Sequence, residues 1–411
     1  MGLPSSADVV VVGGGVMGAS TAYHLASKGC RNVVLLERNP LFGQESTGKC
    51  AGGIRYQFAT EINIRLSLVS LAMLERFEEE LGQAIDLRHC GYLFLLTRKE
   101  DIEAFRVNVA LQRRLGVMTE WLDGDQVRSD LTQLHSLMRL DDVLGATWNS
   151  REGLADPNSV VQGYIREAKR LGAKCFTDVE ATGIVLEHGQ IGAVESQKGK
   201  ISTSVVVNAA GPWASRIGEM AGFEIPVLPV RRQIAVTTPI AQLPLTFPFV
   251  VDFAQNLYFH REGPAILTGM SNVHEPSSFN QQVDREWELV HFEAAMSRMP
   301  LLENVGISSR WAGLYEMSPD AHPILGQISE VKGLYLINGF SGHGFMHGPV
   351  CGLLVAEEIL DGKAHTLDIT SLRLSRFKEG QPIHEYNVVS RTRGHLQPCH
   401  RAFRHSGARN S

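Results

Sequence analysis

The chain has 411 residues, is 44% hydrophobic and 20% charged, and carries 39 Lys and Arg against 44 Asp and Glu. That length and balance exclude both a peptide scaffold and a disordered chain and predict two globular domains. The formal net charge of −5 gives no field for a polyanion, so nucleic acid is not an expected partner.

Asp8 to Val12 is a continuous β-branched run, followed by three glycines and a segment, Val16 to Lys28, that reads as a helix stopped by Gly29. Asn32 to Glu37 is a second apolar run. A strand, glycine turn, helix and strand in this order predict a parallel pair, because the crossover is too long for a hairpin. Apolar residues recur at three- and four-residue intervals between Glu61 and Leu81, predicting an amphipathic helix, and Ile102, Phe105 and Val109 predict another. Asp156 and Pro157 open a third as N-cap and first helical residue, with Gly172 past its end.

From Thr182 to Ala210 three short β runs, Ile184–Leu186, Ile191–Glu195 and Ser204–Ala209, predict a small meander. Residues 226 to 311 hold further β runs, such as Leu257–His260 and Ala265–Thr268, and one helix near Trp287 to Arg298. Finally, Leu334 to Asn338 predicts a strand, Gly339 to Gly348 a glycine-rich loop, and Val350 to Leu360 a helix. The chain ends as it begins, so its α/β domain is expected to draw on both ends. The last 22 residues, from Ser390, hold five Arg and three His and no acid, and are expected to form an unfolded appendage.

Six cysteines without a CxxC pair, and no apolar run near ~20 residues, predict a reducing compartment and no membrane span. The expected location is the cytoplasm, or the mitochondrial matrix in a eukaryote. The opening residues also lack the charged-then-apolar pattern of a secretory leader.

Gly13, Gly15 and Gly18 form GxGxxG between the first strand and helix, and Glu37 ends the next strand. The first glycine permits a tight turn, the second lets backbone N–H groups reach a pyrophosphate, and the third allows close helix packing. An acid at Glu37 suits ribose hydroxyls and disfavours a 2′-phosphate. The motif predicts a dinucleotide cofactor without choosing between NAD and FAD.

Four further segments follow in order: STGKCAGGIR (46–55), VVVNAAGPW (205–213), GLYEMSPDAHPILG (313–326) and NGFSGHGFMHG (338–348). With these the chain resembles the FAD-dependent D-amino-acid-oxidase superfamily over about residues 8 to 365, specifically its sarcosine-oxidase branch. It is similar in particular to the β subunits of sarcosine oxidase and of dye-linked proline dehydrogenase. The resemblance implies an α/β fold, a Rossmann-like FAD-binding domain (7–60, 150–225 and 312–389) interrupted by an antiparallel-sheet substrate domain (61–149 and 226–311).

It implies a cofactor cradle of Gly13, Gly15, Val16, Met17 and Gly18, with Glu37 and Arg38 at the ribose and Ser46, Thr47, Gly52 and Gly53 on the next loop. Val179 falls where backbone meets adenine, and Ala210, Gly211 and Trp213 complete the cradle. Gly313 and the run Gly342, His343, Gly344, Phe345 and Met346 match the surroundings of the flavin, where converging N–H groups would stabilise negative charge.

The reaction implied is oxidation of an amino acid, with a secondary amine such as sarcosine or proline favoured. Arg55 matches the carboxylate-binding arginine, whose guanidinium binds an anion through two parallel hydrogen bonds. Tyr258 and Tyr315 match aromatics on the substrate side, and His343 is placed beside the flavin. No metal is expected at His343 and His347, four residues apart but flanked by glycines and Pro349.

Three departures from the oxidases shape the expectation. Gly313 stands where they attach flavin to a cysteine, so FAD is expected to bind non-covalently. Leu267 stands where they carry an oxygen-activating lysine, and Met346 replaces a second carboxylate-binding lysine. The first favours a dehydrogenase with another electron acceptor, and the second is shared with proline-dehydrogenase-like members. No histidine for covalent FMN occurs near Asp156 to Asn158, so a second flavin at a subunit contact is not predicted. Two alternatives stay open: a D-amino-acid dehydrogenase or glycine-oxidase-like enzyme acting on primary amines, and a flavoprotein that works as an assembly or interaction factor.

Overall fold

A computed structural model describes residues 2–388. The basic stretch from Ser390 lies outside the described residues. Two sheets organise the fold. The first has six strands in the order Ile324–Gln327, Leu334–Asn338, Val206–Asn208, Val9–Val12, Val33–Leu36 and Lys174–Phe176. All neighbours run parallel except the Ile324–Gln327 edge strand. Strands from residues 9, 206 and 334 are adjacent, so the α/β layer does draw on both ends of the chain. Their side chains are buried on both faces, which explains why Val9–Val12 and Val33–Leu36 are unbroken Val and Leu rather than alternating.

The opening helix, Val16–Ser27, and the closing helix, Gly344–Asp361, pack together on one face of this sheet. The structure corrects the expected glycine-rich loop of residues 339–348. The helix starts at Gly344, six residues before the expected Val350, and carries Pro349 inside it. The reason lies in a stripe of glycines at four-residue spacing. A Cβ on Gly344 would sit 3.1 Å from Met17 Cε, on Gly348 2.7 Å from Val16 Cγ2, and on Gly352 2.3 Å from Ser20 Oγ. Those glycines serve helix-to-helix approach, which sequence alone does not distinguish from loop flexibility.

Smaller differences have similar causes. The predicted helix over Glu61–Leu81 is two helices, Glu61–Glu75 and Phe77–Leu81, broken at Arg76. The break turns the Phe77 ring edge-on to Tyr164, with centroids 4.9 Å apart. The first of the two packs against the closing helix, in the core that also holds the opening strand. The run Ser204–Ala209 does not join the meander, which is built from Ala181–Glu187, Gln190–Ser196 and Gly199–Ser202. It supplies Val206–Asn208, a strand of the six-stranded sheet.

The second sheet has eight strands in the order Ile307–Met317, Leu228–Thr237, Ala265–Met270, Leu257–Glu262, Phe249–Asp252, Tyr92–Leu96, Gly145–Asn149 and Glu120–Asp123. Every pairing is antiparallel except that of Phe249–Asp252 with Tyr92–Leu96. The helix Pro157–Arg170 begins as predicted, with Asp156 Oδ1 accepting from the Ser159 N–H at 2.5 Å. No helix among the described residues is long and apolar enough to cross a membrane.

Candidate functional site

A cavity of about 330 Å³ lies between the carboxyl edge of the parallel sheet and the face of the eight-stranded sheet. This is where an α/β sheet leaves a crevice for ligands. One end is built by the first glycine turn. Gly13 has φ +110°, and a Cβ there would meet the Ala209 carbonyl oxygen at 2.4 Å. The chain can close this turn only with glycine. Gly13 to Met17 line the cavity, and the first turn of the opening helix presents N–H groups to it. The Val16 N–H donates to Thr47 Oγ1 at 3.2 Å, which ties the second cofactor loop to the helix start. Gly18 does not line the cavity; a Cβ there would lie 1.9 Å from the Gly13 carbonyl oxygen, so its role is packing.

Glu37 follows the second strand, and its carboxylate is held by two backbone donors, Gly14 N at 2.7 Å and Asn39 N at 2.8 Å. Burial pushes its pKa above the usual carboxylate range, opposed by those two bonds. Arg38 stacks on Trp213 at 3.8 Å and donates to Glu45 at 3.2 Å. The Val179 N–H bonds to the Glu37 carbonyl at 2.8 Å, placing Val179 beside that acid. Val179, Ala210, Gly211 and Trp213 all line this end.

The other end is aromatic and carries two buried cations, Arg55 and Arg232, the latter 5.3 Å from the Tyr315 ring centroid. Tyr92 and Phe249 are stacked at 4.2 Å, and Phe94, Tyr258 and Tyr315 complete the wall. Tyr315 sits against Gly342, whose φ of +103° and Cβ position, 2.3 Å from the Tyr315 ring, admit only glycine. Arg55 is 6% exposed and makes no ion pair among the described residues. Its guanidinium donates to the Gln57 carbonyl and, at 3.0 Å, to the Asn387 carbonyl, and lies 3.9 Å from the Phe58 ring centroid. Two of five donors are therefore engaged.

His343 is 1% exposed, and neither ring nitrogen has a partner among the described residues. Burial holds its pKa well below the usual histidine range, with His347, His322 and Arg55 adding to the effect. It is a neutral imidazole offering one donor and one acceptor to whatever fills the cavity. His347 is committed elsewhere, with Nε2 2.9 Å from Ser67 Oγ.

Of the predicted residues, Arg55, Tyr258, Tyr315, His343, Ser46, Thr47, Gly52, Gly53, Gly313, Gly344, Phe345 and Met346 all line this one cavity. Leu267 does not. It is 3% exposed and sits inside the eight-stranded sheet, so the absence of a charge at the flavin cannot be read from that position. The lysine that lines the cavity is Lys49, unremarked in the sequence. Its Nζ pairs with Glu45 at 3.0 Å and bonds to Gln281 at 2.5 Å.

Other residues without a sequence signal are Glu152, Arg232 and Asn387. Glu152 is fully buried and accepts from the Tyr56 and Gln57 N–H groups and from Gln57 Nε2. Burial pushes its pKa to about 8. It braces the backbone that carries Arg55. Cys50 also lines the cavity, and desolvation pushes its thiol to about 11, which disfavours the reactive thiolate.

A glycine cradle at a helix start, an acid past the second strand and an unpartnered imidazole fit a dinucleotide at one end and its reactive ring at the other. Fold and cavity thus define a dinucleotide-dependent oxidoreductase. The chain belongs to the FAD-dependent oxidoreductase (DAO) family, whose model matches residues 8–358, and its cofactor is FAD. It is 32% identical to FAD-dependent oxidoreductase domain-containing protein 1 of Xenopus laevis, covering 94% of this chain and 85% of that protein. It is 31% identical to the mitochondrial sarcosine dehydrogenase of Mus musculus over 91% of this chain but only 42% of that protein's length. Among solved structures, L-proline dehydrogenase from P. horikoshii superposes with a TM-score of 0.84 at 32% identity, covering 92% of this chain and 100% of that one.

Proposed function

We propose that this chain oxidises a small amino acid bearing a secondary amine, of the sarcosine or proline type. The observation that carries the reading is Arg55, a buried guanidinium held by two backbone carbonyls and touched by the Glu152 carboxylate only through space, set in the aromatic wall of the FAD cavity. A buried cation of this kind is compensated when an anion enters, and a substrate carboxylate supplies one bidentately. FAD held in the cradle supplies a two-electron acceptor for the hydride of a carbon bonded to nitrogen, leaving an imine that water hydrolyses.

The protein's own part is positioning. Arg55 fixes the carboxylate, while Tyr92, Phe249, Tyr258 and Tyr315 exclude water and provide apolar surface for an N-alkyl group or a ring. His343, neutral, offers a hydrogen bond without adding charge. Relatives named for sarcosine and L-proline dehydrogenation support the substrate class. Lys49 is the cation nearest in character to an oxygen-activating group, and its charge is balanced by Glu45, which supports an acceptor other than oxygen. Non-covalent attachment is supported by Gly313 in the cavity wall and by the high pKa of the Cys50 thiol.

Anaerobic mixing of holoprotein with a panel of amino acids tests this. Sarcosine, N-alkyl amino acids or L-proline should bleach the flavin band, and an artificial dye should then reoxidise it faster than oxygen does. A flavin left oxidised by every amine would refute turnover and leave FAD as a structural element of an interaction factor.

A further inference from the structure

The family model ends at residue 358, yet the chain beyond it returns to the cavity. After the short turn Leu374–Phe377, the Ile383 N–H donates to Asp320 Oδ2 at 3.0 Å. Glu385, 5% exposed, then accepts four hydrogen bonds. Oε1 takes the Ala59 N–H at 2.7 Å and the Asn387 N–H at 3.0 Å; Oε2 takes Thr60 Oγ1 at 2.9 Å and Asn63 Nδ2 at 3.0 Å. The Tyr386 hydroxyl donates to Asp101 at 2.7 Å. Asn387, 4% exposed, accepts at Oδ1 from Asn108 Nδ2 at 3.0 Å and donates from Nδ2 to the Gln57 carbonyl at 3.3 Å. Its own carbonyl accepts from Arg55 Nη2 at 3.0 Å.

We propose that Ile383–Val388 is a positioning strap for the substrate anchor. Glu385 locks it to the start of the Glu61–Glu75 helix, and Asn387 presents one carbonyl that, with that of Gln57, fixes the plane of the Arg55 guanidinium. Held at two terminal nitrogens, the fork meets an anion without first losing rotamer freedom, and its remaining donors stay aimed at the cavity. Asn387 and Val388 themselves line the cavity. Residues past the stretch matched by the family model therefore complete the carboxylate site. The inference rests on the reading that Arg55 binds the substrate carboxylate.

The test uses full-length holoprotein and pyrrole-2-carboxylate, a planar cyclic carboxylate, titrated against the visible flavin spectrum. Asn387→Ala and Glu385→Gln should each weaken binding about tenfold, with flavin content at the wild-type value; the buried hydrogen bonds they remove should also lower the thermal midpoint of the ligand-free protein, so affinity and not the midpoint is the readout. Arg55→Lys should weaken binding further, and adding Asn387→Ala to it should cost nothing more, because the strap acts only through Arg55. Wild-type affinity in both strap variants, or full additivity with Arg55→Lys, would overturn the strap. If Arg55→Lys binds the carboxylate normally, or the wild type does not bind it, the anchor reading fails instead. Should either strap variant not fold, Asn108→Ala removes one side-chain bond to Asn387 and is held to the same outcomes.

Discussion

Replacing Arg55 by Met separates two costs that the fold sets against each other. The side chain is 6% exposed, so keeping its charge out of water costs several kcal/mol before any ligand arrives. Two carbonyl bonds, roughly 1.5–3 kcal/mol each, and the Phe58 face at 3.9 Å, about 1–2 kcal/mol, offset that cost. Met fills similar space without charge, so the two losses nearly cancel. The ligand-free variant should unfold within about 2 kcal/mol of the wild type. Carboxylate binding has no such offset. A desolvated bidentate pair is worth about 3–5 kcal/mol, so affinity should fall at least ~100-fold. The assay is thermal unfolding with and without pyrrole-2-carboxylate. At a hundred times its Kd the ligand should stabilise the wild type by about 2.7 kcal/mol and the variant by less than ~0.5 kcal/mol. A variant that keeps the ligand-induced shift would refute the anion site. One that loses more than about 4 kcal/mol without ligand would show Arg55 to be a strut for two carbonyls.

Three further outcomes follow from the same geometry. Gly13→Ala forces a Cβ to 2.4 Å from the Ala209 carbonyl oxygen at φ +110°, so the purified variant should lose most of its flavin absorbance per protein; full retention would contradict the cradle. Glu152 has a folded pKa near 8 against 4.5 in the unfolded chain, so the folded state binds more protons and stability falls as pH rises through that window. Glu152→Gln should therefore gain on the wild type between pH 6 and pH 9 in urea unfolding, and a constant difference would show Glu152 to be ionised throughout. Because burial keeps His343 neutral well below the usual histidine pKa, the oxidation rate should show no inflection near pH 6.5 attributable to it. An inflection there that disappears in His343→Asn would disprove this.

Much of the cofactor end was legible because it is local. A β-branched run, GxGxxG and an acid after the second strand are contiguous in sequence, and backbone geometry obliges each residue type. Gly13 and Glu37 therefore line the cavity end that the pattern points to, while Thr47 entered only through resemblance. The substrate end was legible mainly through resemblance, which placed Arg55, Tyr258 and Tyr315 on the cavity but put weight on Leu267, a residue buried in the sheet. Register decides such cases, and one strand offers two faces with nothing in composition to say which meets the cofactor. The closing glycines were misread for a different reason. Loop glycines and helix-packing glycines differ only in the partner they face, and that partner, the opening helix, lies more than 300 residues away in the chain.

Glu152 and Ile383–Val388 left no periodic signal at all. Both act through hydrogen bonds to backbone far off in sequence, Glu152 to Tyr56 and Gln57, and the strap to Ala59, Gln57 and Arg55. They converge on the five residues Arg55 to Ala59, an irregular stretch that could not hold a buried cation by itself. A strand or helix satisfies its own polar groups and fixes its side chains as a by-product. An irregular segment at an active site must borrow both from elsewhere. The carboxyl end of the parallel sheet leaves such a segment there, bringing Arg55 to the cavity at the expense of regular structure. Distant parts of the chain, one of them past the stretch matched by the family model, supply the order that this segment lacks.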